Sequence, residues 1–469
     1  MAISARLYGL DDIPLWTDEL FTRFYPESGL AYLWGPGLRT EPTSPLYYTL
    51  IWLIEHVGGT SALLLRTPSV LASLLGIWLA WRLARELFDH PAPALLAALL
   101  LALAPVDVLF AEEARAYALQ AAALGLTLLA FARILRGASG LTLYVAGATL
   151  AIWFHPTSIA AVAALNAAAL FSTIGAGRLL SPRAWLRFLA ANVLVALACT
   201  PLIPGMLAPA GGDATSWIPA LTRWSLESVI GQTLAGPATE PNTQRIAELG
   251  TLALVALALL PPWRPGRRAA TVLVLVPGLA LAIMIVISLG RPVLLTRTLA
   301  WFLIPLAVAL GSMIVRRPAP IAIPLASAVA ALTAAALFVQ IRQGAALKEG
   351  WPALFAQMPD LAAPALLVLA PHSPPGAVAL YAPASAKPVR LDDGGPPSPE
   401  TVVMPRLFGT PTLSRAQFAA AIAAGTPVWL VYRRPEYGWV KTETSTLPAP
   451  KHVIQSETGP NPALRAMQW

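Results

Sequence analysis

The sequence predicts an all-α polytopic membrane protein with a small C-terminal α+β extracytoplasmic domain. Of its 469 residues, 57% are hydrophobic and only 12% are charged, whereas soluble domains carry about 25% charged residues. Long apolar runs recur between residues 67 and 341, and the last 125 residues, 345–469, are richer in proline, glycine and charge. This composition excludes a disordered or nucleic-acid-binding chain and argues against a soluble enzyme.

Ten apolar runs are candidate membrane-spanning helices, since crossing a core of about 30 Å takes about 20 residues that each rise about 1.5 Å. They are 67–81, 91–106, 117–132, 141–154, 157–177, 188–206, 246–263, 269–290, 298–315 and 318–341. Several are short when they are cut at charged residues. We expect snorkelling arginines to extend the ends of these helices.

The loops between these runs alternate in charge. One set carries twelve arginines and two acids, and the other carries five arginines and six acids. The positive-inside rule makes the first set cytoplasmic, which also accounts for the net charge of +8. The outer side of the cell (inner) membrane, the periplasmic face, then receives residues 1–66 and the domain 342–469, on either side of a transmembrane bundle, 67–341, of about ten helices. Because residues 1–41 contain no apolar run, we expect one more helix upstream of Met1.

Two regions outside the bundle have recognisable local patterns. Residues 45–57 are too short to span a bilayer and predict an interfacial helix, with Tyr47, Tyr48 and Trp52 at the level of the lipid headgroups. In the C-terminal domain, apolar runs predict strands at 365–370, 377–382 and 427–433, a helix at 414–424 that Gly425 stops, and a loose middle at 384–412. The single cysteine, Cys199, excludes a disulfide framework and a cysteine-based zinc site.

Two acidic clusters on the predicted outer face are candidates for chemistry. Asp18 and Glu19 are adjacent carboxylates at a membrane surface, where one could act as a general base; the alternative is a solvated pair in a loop. Glu113 and Tyr117 are four residues apart and can share a helix face. For this second cluster the alternative is a turn with an ion pair between Glu112 and Arg115, its acids favoured by the helix dipole.

Two arginines and a histidine lie at the outer ends of predicted spans. The guanidinium forks of Arg66 and Arg297 suit phosphate oxygens, although either arginine could simply snorkel to the interface. His155 could serve as a ligand together with Glu113 or Glu19, or it could be a hydrogen-bonded interfacial histidine. The sequence leaves a divalent metal ion open and identifies no cofactor.

Taken in order, these clusters resemble the GT-C type glycosyltransferases that use lipid-linked sugars. The closest resemblance is to the superfamily of dolichyl-phosphate-mannose protein mannosyltransferases and aminoarabinose transferases, similar to glycosyltransferase family 39. It runs from about residue 6 to residue 310, and the matching segments are PLWTDEL (14–20), SPLYY (44–48), LRTPSVLASLLG (65–76), EEARAYAL (112–119), WFHPTS (153–158) and RPVLLTRTLAWFLIP (291–305). The chain departs from the family at Thr43-Ser44, where a His-Pro pair is common, and at Glu112, where a glutamine is common.

The resemblance implies a GT-C-like helical bundle and an inverting sugar transfer on the outer face from a polyprenyl-phosphate donor. It makes Asp18 the general base on the acceptor and Glu19 its partner. The candidate residues for the donor phosphate are Arg66, Arg115 and Arg297. The candidate substrate-binding residues are Tyr47, Tyr48, Glu113, Tyr117 and His155. The expected partners are the donor, membrane lipids and a lipid, glycan or protein acceptor, with no nucleic acid.

Physical chemistry supports this assignment independently of the family. Sugar transfer from a phosphodiester passes through an oxocarbenium-like state, so a carboxylate must take the acceptor proton and cations must stabilise the departing phosphate. The first rival function is a polytopic transporter or lipid flippase, which predicts an inverted repeat and charges near mid-membrane; the sequence contains neither pattern. The second rival is a non-catalytic scaffold, which leaves Asp18, Glu113 and Arg115 unexplained.

Overall fold

The computed structural model describes residues 2–41, 45–174, 180–207, 220–236, 266–343, 348–359, 365–392, 399–456 and 464–469, with Ile218, Leu361 and parts of 242–250. Before the bundle, it contains the helices Ala2–Leu7, Thr17–Phe24, Leu30–Leu33, Gly37–Thr40 and Pro45–Gly58 and the 3-10 turn Tyr25–Ser28. The bundle consists of the helices Ala62–Leu87, Ala92–Leu103, Pro105–Ala111, Tyr117–Leu135, Leu141–Phe154, Ser158–Phe171, Pro182–Gly205, Arg223–Ala235, Arg267–Gly290, Thr296–Val315 and Ala319–Gln343.

The described helices confirm a multi-pass membrane protein. Six of them are long and apolar enough to cross a bilayer, and the bent pair Ala92–Leu103 and Pro105–Ala111 makes a seventh if it counts as one span. Leu141–Phe154 and Ser158–Phe171 are apolar helices of 14 residues each. Helices therefore lie at nine of the ten predicted runs. The run 246–263 lies largely outside the described residues, as do the charged loop residues Arg178, Asp213, Glu240 and Arg264 and the motif residues Thr43 and Ser44.

The spans divide into an inner and an outer set. In an 18-residue apolar stretch of Tyr117–Leu135, 89% is buried inside the protein. In the corresponding stretch of Ala319–Gln343, only 11% is buried. The outer helices expose large apolar side chains, among them Leu332 and Phe338. Water disfavours such surfaces and lipid covers them at little cost.

A proline bends the second span and thereby places the loop that follows it. Ala104 is extended, with ψ of 118°, and the two halves of the span meet at 59°. Pro105 forces this break because it has no N–H to donate and clashes with the preceding turn. The bend directs Pro105–Ala111 towards the 112–116 turn, which carries Glu112, Glu113 and Arg115.

A buried ion pair ties the first helix to the same bend. Arg6 is fully buried and donates from Nη2 to Asp107 Oδ2 at 2.6 Å and from Nε to Ser73 Oγ at 2.6 Å. Neither Arg6 nor Asp107 is among the candidate residues that the sequence singles out. Because a charge buried alone is costly, this pair holds Ala2–Leu7 against the bundle.

The helix Pro45–Gly58 forms where sequence analysis predicts it, but its tyrosines are not at the lipid headgroups. Tyr47 and Tyr48 are both fully buried. They pack with Phe21 and Tyr25 of the preceding segment, and the Tyr25 and Tyr48 rings lie 4.7 Å apart. The expected interfacial position of these two side chains was wrong, because segment 17–28 folds over them and provides an aromatic core.

The C-terminal region folds around a six-stranded sheet. Its strands are β1 (Leu366–Leu369), β2 (Pro388–Leu391), β3 (Thr412–Leu413), β4 (Val428–Arg433), β5 (His452–Gln455) and β6 (Leu464–Gln468), in the spatial order β3-β2-β1-β4-β6-β5. The first four are parallel, and β6 is antiparallel to both β4 and β5. The accompanying helices are Trp351–Ala356, Pro375–Tyr381, Pro399–Leu407, Arg415–Ala423 and Tyr437–Glu443, with the 3-10 turn Arg434–Glu436.

This sheet confirms two predicted strands and the predicted helix and corrects one element. Residues 377–382 belong to a helix, Pro375–Tyr381, and not to a strand. Short apolar runs do not distinguish the two by periodicity, and Pro375, at the first helical position, favours helix initiation. The region 384–412, predicted to be loose, contains β2 and the helix Pro399–Leu407, and residues 393–398 lie outside the described part.

Candidate active site

The helix Thr17–Phe24, called here the Asp18 helix, carries both predicted catalytic acids in its first turn. Acids are favoured there because the positive end of the helix dipole lies at the N-terminus. Successive residues on a helix point about 100° apart. Asp18 and Glu19 therefore face different neighbours, although they are adjacent in the chain.

Glu19 faces inward and forms a closed ion pair with Arg66. Neither side chain has any exposed surface. Arg66 binds the carboxylate with two donors, Nε to Oε1 at 2.7 Å and Nη2 to Oε2 at 2.6 Å, and the backbone N–H of Ala114 donates to Oε1 at 2.8 Å. The other donors of Arg66 reach the carbonyls of Leu10, Ile13 and Pro14. The pair joins the Asp18 helix, the first span and the 112–116 turn.

Asp18 faces a more open region with three arginines around it. Its Oδ2 accepts from Arg297 Nη1 at 2.9 Å, and the two side chains keep 19% and 21% of their surface exposed. Arg115 Nη1 lies 3.4 Å from the backbone oxygen of Asp18. Burial raises the pKa of Asp18, but Arg115, Arg297 and Arg433 together outweigh it and hold the pKa below its usual value. The carboxylate is therefore ionised at neutral pH.

Tyr117 and His155 lie beside the two arginines. The guanidinium carbons of Arg115 and Arg297 lie 5.7 Å and 5.4 Å from the centre of the Tyr117 ring, within the range of cation–π attraction. The His155 ring is 5.8 Å from Tyr117, and its Nδ1 is 2.8 Å from Thr157 Oγ1. Burial, with the nearby Arg297 and Arg115, lowers the pKa of His155 to about 3, so the imidazole is neutral.

The acids of the 112–116 turn are buried behind Asp18. Lys348 donates from Nζ to the carbonyl of Glu112 at 2.8 Å and lies 3.8 Å from Glu19 Oε2. Burial raises the pKa of Glu113 to about 7, with Glu19 and Asp18 adding to the rise and Lys348 and Arg297 opposing it. Burial likewise raises the pKa of Glu112 to about 7. These two groups titrate close to neutral pH.

Two buried polar atoms close to the acids, the hydroxyl of Tyr48 and the indole nitrogen of Trp16, have no hydrogen-bond partner among the residues that the structure describes. The hydroxyl of Tyr47 is also buried, beside Thr22. Burial raises the pKa of both tyrosines well above the usual value, and Arg115 acts on both in the opposite direction. Both hydroxyls are therefore neutral at physiological pH. Because an unsatisfied buried donor is costly, the Tyr48 hydroxyl is available to hydrogen-bond a ligand.

The fold thus brings all ten candidate residues into one region, at the end of the bundle where the Asp18 helix lies. It also adds three that sequence analysis missed, namely Lys348, Glu349 and Arg433. Their signal in the sequence is weak: Lys348 and Glu349 form a charged pair just after the last span, and Arg433 ends a predicted strand. Within the described ranges, no three His, Cys, Asp or Glu side chains form a group that could hold a metal ion.

Comparison with known proteins identifies related families and folds. The family model described as dolichyl-phosphate-mannose-protein mannosyltransferase matches residues 41–202, about a third of the chain. No curated protein matches.

The solved structures add fold relatives that cover the whole chain. ArnT from Cupriavidus metallidurans bound to undecaprenyl phosphate has a TM-score of 0.59 at 12% identity, and its apo state has a TM-score of 0.61 at 13%; each match covers 100% of this chain and 96% of that one. The arabinofuranosyltransferase AftD from Mycobacteria has a TM-score of 0.52 at 16% identity, covering 100% of this chain and 41% of that one.

These matches confirm the resemblance inferred from the sequence motifs. The chain is similar over residues 41–202 to the dolichyl-phosphate-mannose-protein mannosyltransferases, and its fold is similar to that of ArnT, which agrees with the expected GT-C-like helical bundle.

Proposed function

We propose that this protein transfers a sugar from a polyprenyl-phosphate donor to an acceptor hydroxyl, or an equivalent nucleophile, on the extracytoplasmic face of the membrane. Asp18 is the general base, and the transfer inverts the anomeric centre. One observation carries the proposal: the Asp18 carboxylate is ionised, partly exposed and surrounded by Arg115 and Arg297, which come from distant parts of the chain.

The reaction is a single displacement. Asp18 accepts the proton of the acceptor as the acceptor oxygen bonds to the anomeric carbon. The bond from that carbon to the phosphate oxygen breaks on the opposite side, and its electron pair leaves with the polyprenyl phosphate. Charge develops on the departing phosphate, where fixed guanidinium groups stabilise it most effectively.

Arg115 and Arg297 are the cations assigned to that phosphate. In the ligand-free protein, Arg297 is paired with Asp18 at 2.9 Å. A phosphate dianion or diester competes for the same guanidinium, because arginine binds phosphate through the same fork of donors. Donor binding would therefore draw Arg297 from Asp18 and leave the carboxylate to the acceptor.

Arg66 receives a different role in this proposal. Its donors already bind Glu19 and three backbone carbonyls, and its side chain has no exposed surface. A donor phosphate would have to break a buried ion pair to reach it, which is costly. We therefore assign Arg66 and Glu19 to the architecture of the site, and Tyr47, Tyr48, Glu113, Tyr117 and His155 to its walls.

The donor class and the side of the membrane rest on separate arguments. One fold relative, ArnT, was solved with undecaprenyl phosphate, and the exposed apolar faces of the outer helices suit a polyprenyl chain. The loop charges support an outer position for this end of the bundle, by the positive-inside rule. The acceptor is a lipid, a glycan or a protein.

The proposal is tested by measuring the consumption of a polyprenyl-phosphate-linked sugar in membranes that contain the Asp18→Asn variant. We expect a loss of at least about 100-fold in rate, the usual scale for removing a general base. Asp12→Asn, an exposed acid of the same segment, serves as the matched control and should turn over normally. Wild-type turnover by the Asp18→Asn variant would overturn the assignment.

A further inference from the structure

The Asp18 helix is capped by a residue more than 300 positions away in the sequence. Trp16, the residue before the helix, provides no side-chain cap. Instead, the Glu349 carboxylate accepts through Oε2 from the backbone N–H of Thr17 at 3.1 Å and from the Thr17 hydroxyl. The first N–H groups of a helix have no partner within the helix, and an anion at that end also suits the helix dipole. Glu349 therefore anchors the turn that contains Asp18.

Glu349 is held in turn by two side chains of the C-terminal domain. Arg433 donates from Nε to Oε1 at 2.7 Å, and Trp351 donates from Nε1 to Oε2 at 3.2 Å. The carboxylate is buried, and both of its oxygens are used. A buried carboxylate that accepts from four donors has little freedom to move.

Arg433 ends β4 beside the end of β1, its parallel neighbour. Glu436 fastens these two strand ends, accepting from the N–H groups of His372 and Arg433 at 2.9 Å and 2.8 Å and from the Ser373 hydroxyl at 3.0 Å. The connection after β1 leads to β2 on one side of β1, and the connection after β3 leads to β4 on the other side. Open α/β sheets usually bind a ligand at such a point. Here, the carboxyl ends of β1 and β4 lie against the Asp18 helix.

The packing at this contact is close. A Cβ atom at Gly376 would lie 2.6 Å from Cδ2 of Phe24, so only glycine fits there. The Phe24 and Phe408 rings lie 4.8 Å apart, edge to face. The Asp18 helix is thus clamped at its first turn by Glu349 and at its last by the domain's apolar surface.

We infer that Glu349 and Arg433 are positioning residues for Asp18, so that the C-terminal domain completes the active site by holding the first turn of the Asp18 helix in place. This inference rests on the proposed function. It assigns the domain a part in the reaction, and the first prediction that follows from it can be measured without any sugar transfer.

Arg433 also acts on Asp18 through its charge. The groups that face Asp18 are Arg297 from the span Thr296–Val315, Arg115 and Glu113 from the 112–116 turn, and Arg433 from the domain. Arg433 is one of three arginines that hold the Asp18 pKa below its usual value against burial. Removing Arg433 must therefore raise that pKa, whereas a lysine at the same position keeps the charge and should largely preserve it.

The first test uses a thiol as a reporter at position 18. The chain has one cysteine, Cys199, and it is buried, so Asp18→Cys in a Cys199→Ala background carries a single reactive thiol. The rate of alkylation by iodoacetamide against pH reports its thiolate. Adding Arg433→Gln should move the midpoint to higher pH, and Arg433→Lys should leave it near that of the parent. The matched control is Arg415→Gln, whose arginine pairs with Glu443 at 3.0 Å elsewhere in the domain.

The second test uses Glu349→Gln and Thr17→Val in the wild-type chain. A displacement of about 1 Å can cost about 100-fold in rate, so we expect kcat/KM to fall about 10- to 100-fold while binding of labelled polyprenyl phosphate stays within about twofold of wild type. Arg415→Gln should match wild type. Thr17→Val removes one hydroxyl and keeps the shape of the side chain. It therefore tests the contact between Thr17 and Glu349 even if Arg433→Gln does not fold.

The two tests separate this inference from the proposed function. If the thiol midpoint moves but Asp18→Asn keeps its turnover, the action of Arg433 on position 18 stands and the catalytic proposal fails. If Asp18→Asn loses activity while the thiol midpoint in Arg433→Gln equals that in Arg415→Gln and Glu349→Gln turns over normally, the inference is overturned and the catalytic proposal stands.

Discussion

Two neighbouring acids on one helix, Asp18 and Glu19, each pair with an arginine, but the two pairs are built differently. The Glu19–Arg66 pair has no exposed surface, two parallel hydrogen bonds and a third from a backbone N–H. The Asp18–Arg297 pair has a single contact at 2.9 Å and keeps about a fifth of each side chain exposed. The first is closed to any ligand, and the second can exchange a partner.

The difference comes from the face of the helix on which each acid lies. Glu19 points between the first span and the 112–116 turn, where only a fully satisfied ion pair is tolerated. Asp18 points to the side where Arg115, Arg297 and Tyr117 meet. Of these two adjacent acids, Glu19 therefore stabilises the structure of the site, and Asp18 is available for chemistry.

The largest expected effect is on stability and separates the two acids directly. Glu19→Ala leaves Arg66 buried without its anion, which should lower the free energy of unfolding by about 3–5 kcal/mol. Asp18→Asn disrupts a partly exposed pair and should change it by no more than about 1 kcal/mol. Denaturant titration in detergent micelles, followed by tryptophan fluorescence, measures both.

The control for this comparison is the double variant Glu19→Ala, Arg66→Met. Because the two side chains interact directly, the double variant should lose less stability than the two single variants together, by about 0.5–3 kcal/mol. Equal losses for Glu19→Ala and Asp18→Asn, or strict additivity in the double variant, would contradict the structural role of the closed pair.

The next prediction concerns Glu113, the buried acid that lies behind both pairs. Folding raises its pKa from 4.5 to about 7, so the folded state favours the protonated form. The contribution of Glu113 to stability is then most favourable below pH 4.5 and becomes less favourable as the pH rises from there to about 7. Glu113→Gln lacks this penalty and should be more stable than wild type at pH 8 by up to about 3 kcal/mol, with little difference at pH 4.

Denaturant titration at the two pH values checks this expectation. The matched variant is Glu112→Gln, whose pKa is also raised to about 7 and which should behave similarly. A Glu113→Gln protein that is less stable than wild type at pH 8 would mean that the carboxylate has an ionised structural role.

The smallest expected effect concerns the partly exposed pair of Asp18 and Arg297. Arg297→Gln removes a cation that holds the Asp18 pKa down, so the loss of kcat/KM on acidification should begin at a higher pH than in wild type. The lost charge-assisted contact should also lower kcat/KM about tenfold or more at the pH optimum. Arg297→Lys retains the charge and should retain the acidic limb near its original position.

A pH series of donor consumption in membranes measures the position of the limb. Arg291→Gln removes an exposed arginine from the segment that precedes the span Thr296–Val315 and should leave the profile unchanged. If Arg297→Gln has the wild-type acidic midpoint, Arg297 does not control the ionisation of Asp18. The two pairs would then differ in exposure and hydrogen bonding but not in their effect on the pKa of the acid.

Much of this architecture is readable from local pattern. Spans such as 117–132 and 318–341 are predictable because a bilayer imposes a length and an apolar composition on each helix independently. The motif containing Asp18 and Glu19 and the one containing Glu113 and Arg115 are visible for the same local reason. The strand at 427–433 and the helix at 414–424 also follow from short-range signals.

Other features depend on which surfaces meet. The buried position of Tyr47 and Tyr48 follows from segment 17–28 folding over them, and the helix at 375–381 cannot be told from a strand by apolar pattern alone. The pairing of Arg66 with Glu19 joins residues 47 positions apart. No periodicity in the chain encodes such a contact, since it arises only once the helices have packed.

The amino-acid sequence alone determined the membrane class, most of the spans and the set of charged residues available for chemistry, because hydrophobic length and charge act locally along the chain. Tertiary packing decided which acid is closed and which is open, and it brought Lys348, Glu349 and Arg433 from the C-terminal region to the Asp18 helix. The physical reason is that the cost of burying a charge depends on its three-dimensional neighbours, which are distant in the sequence.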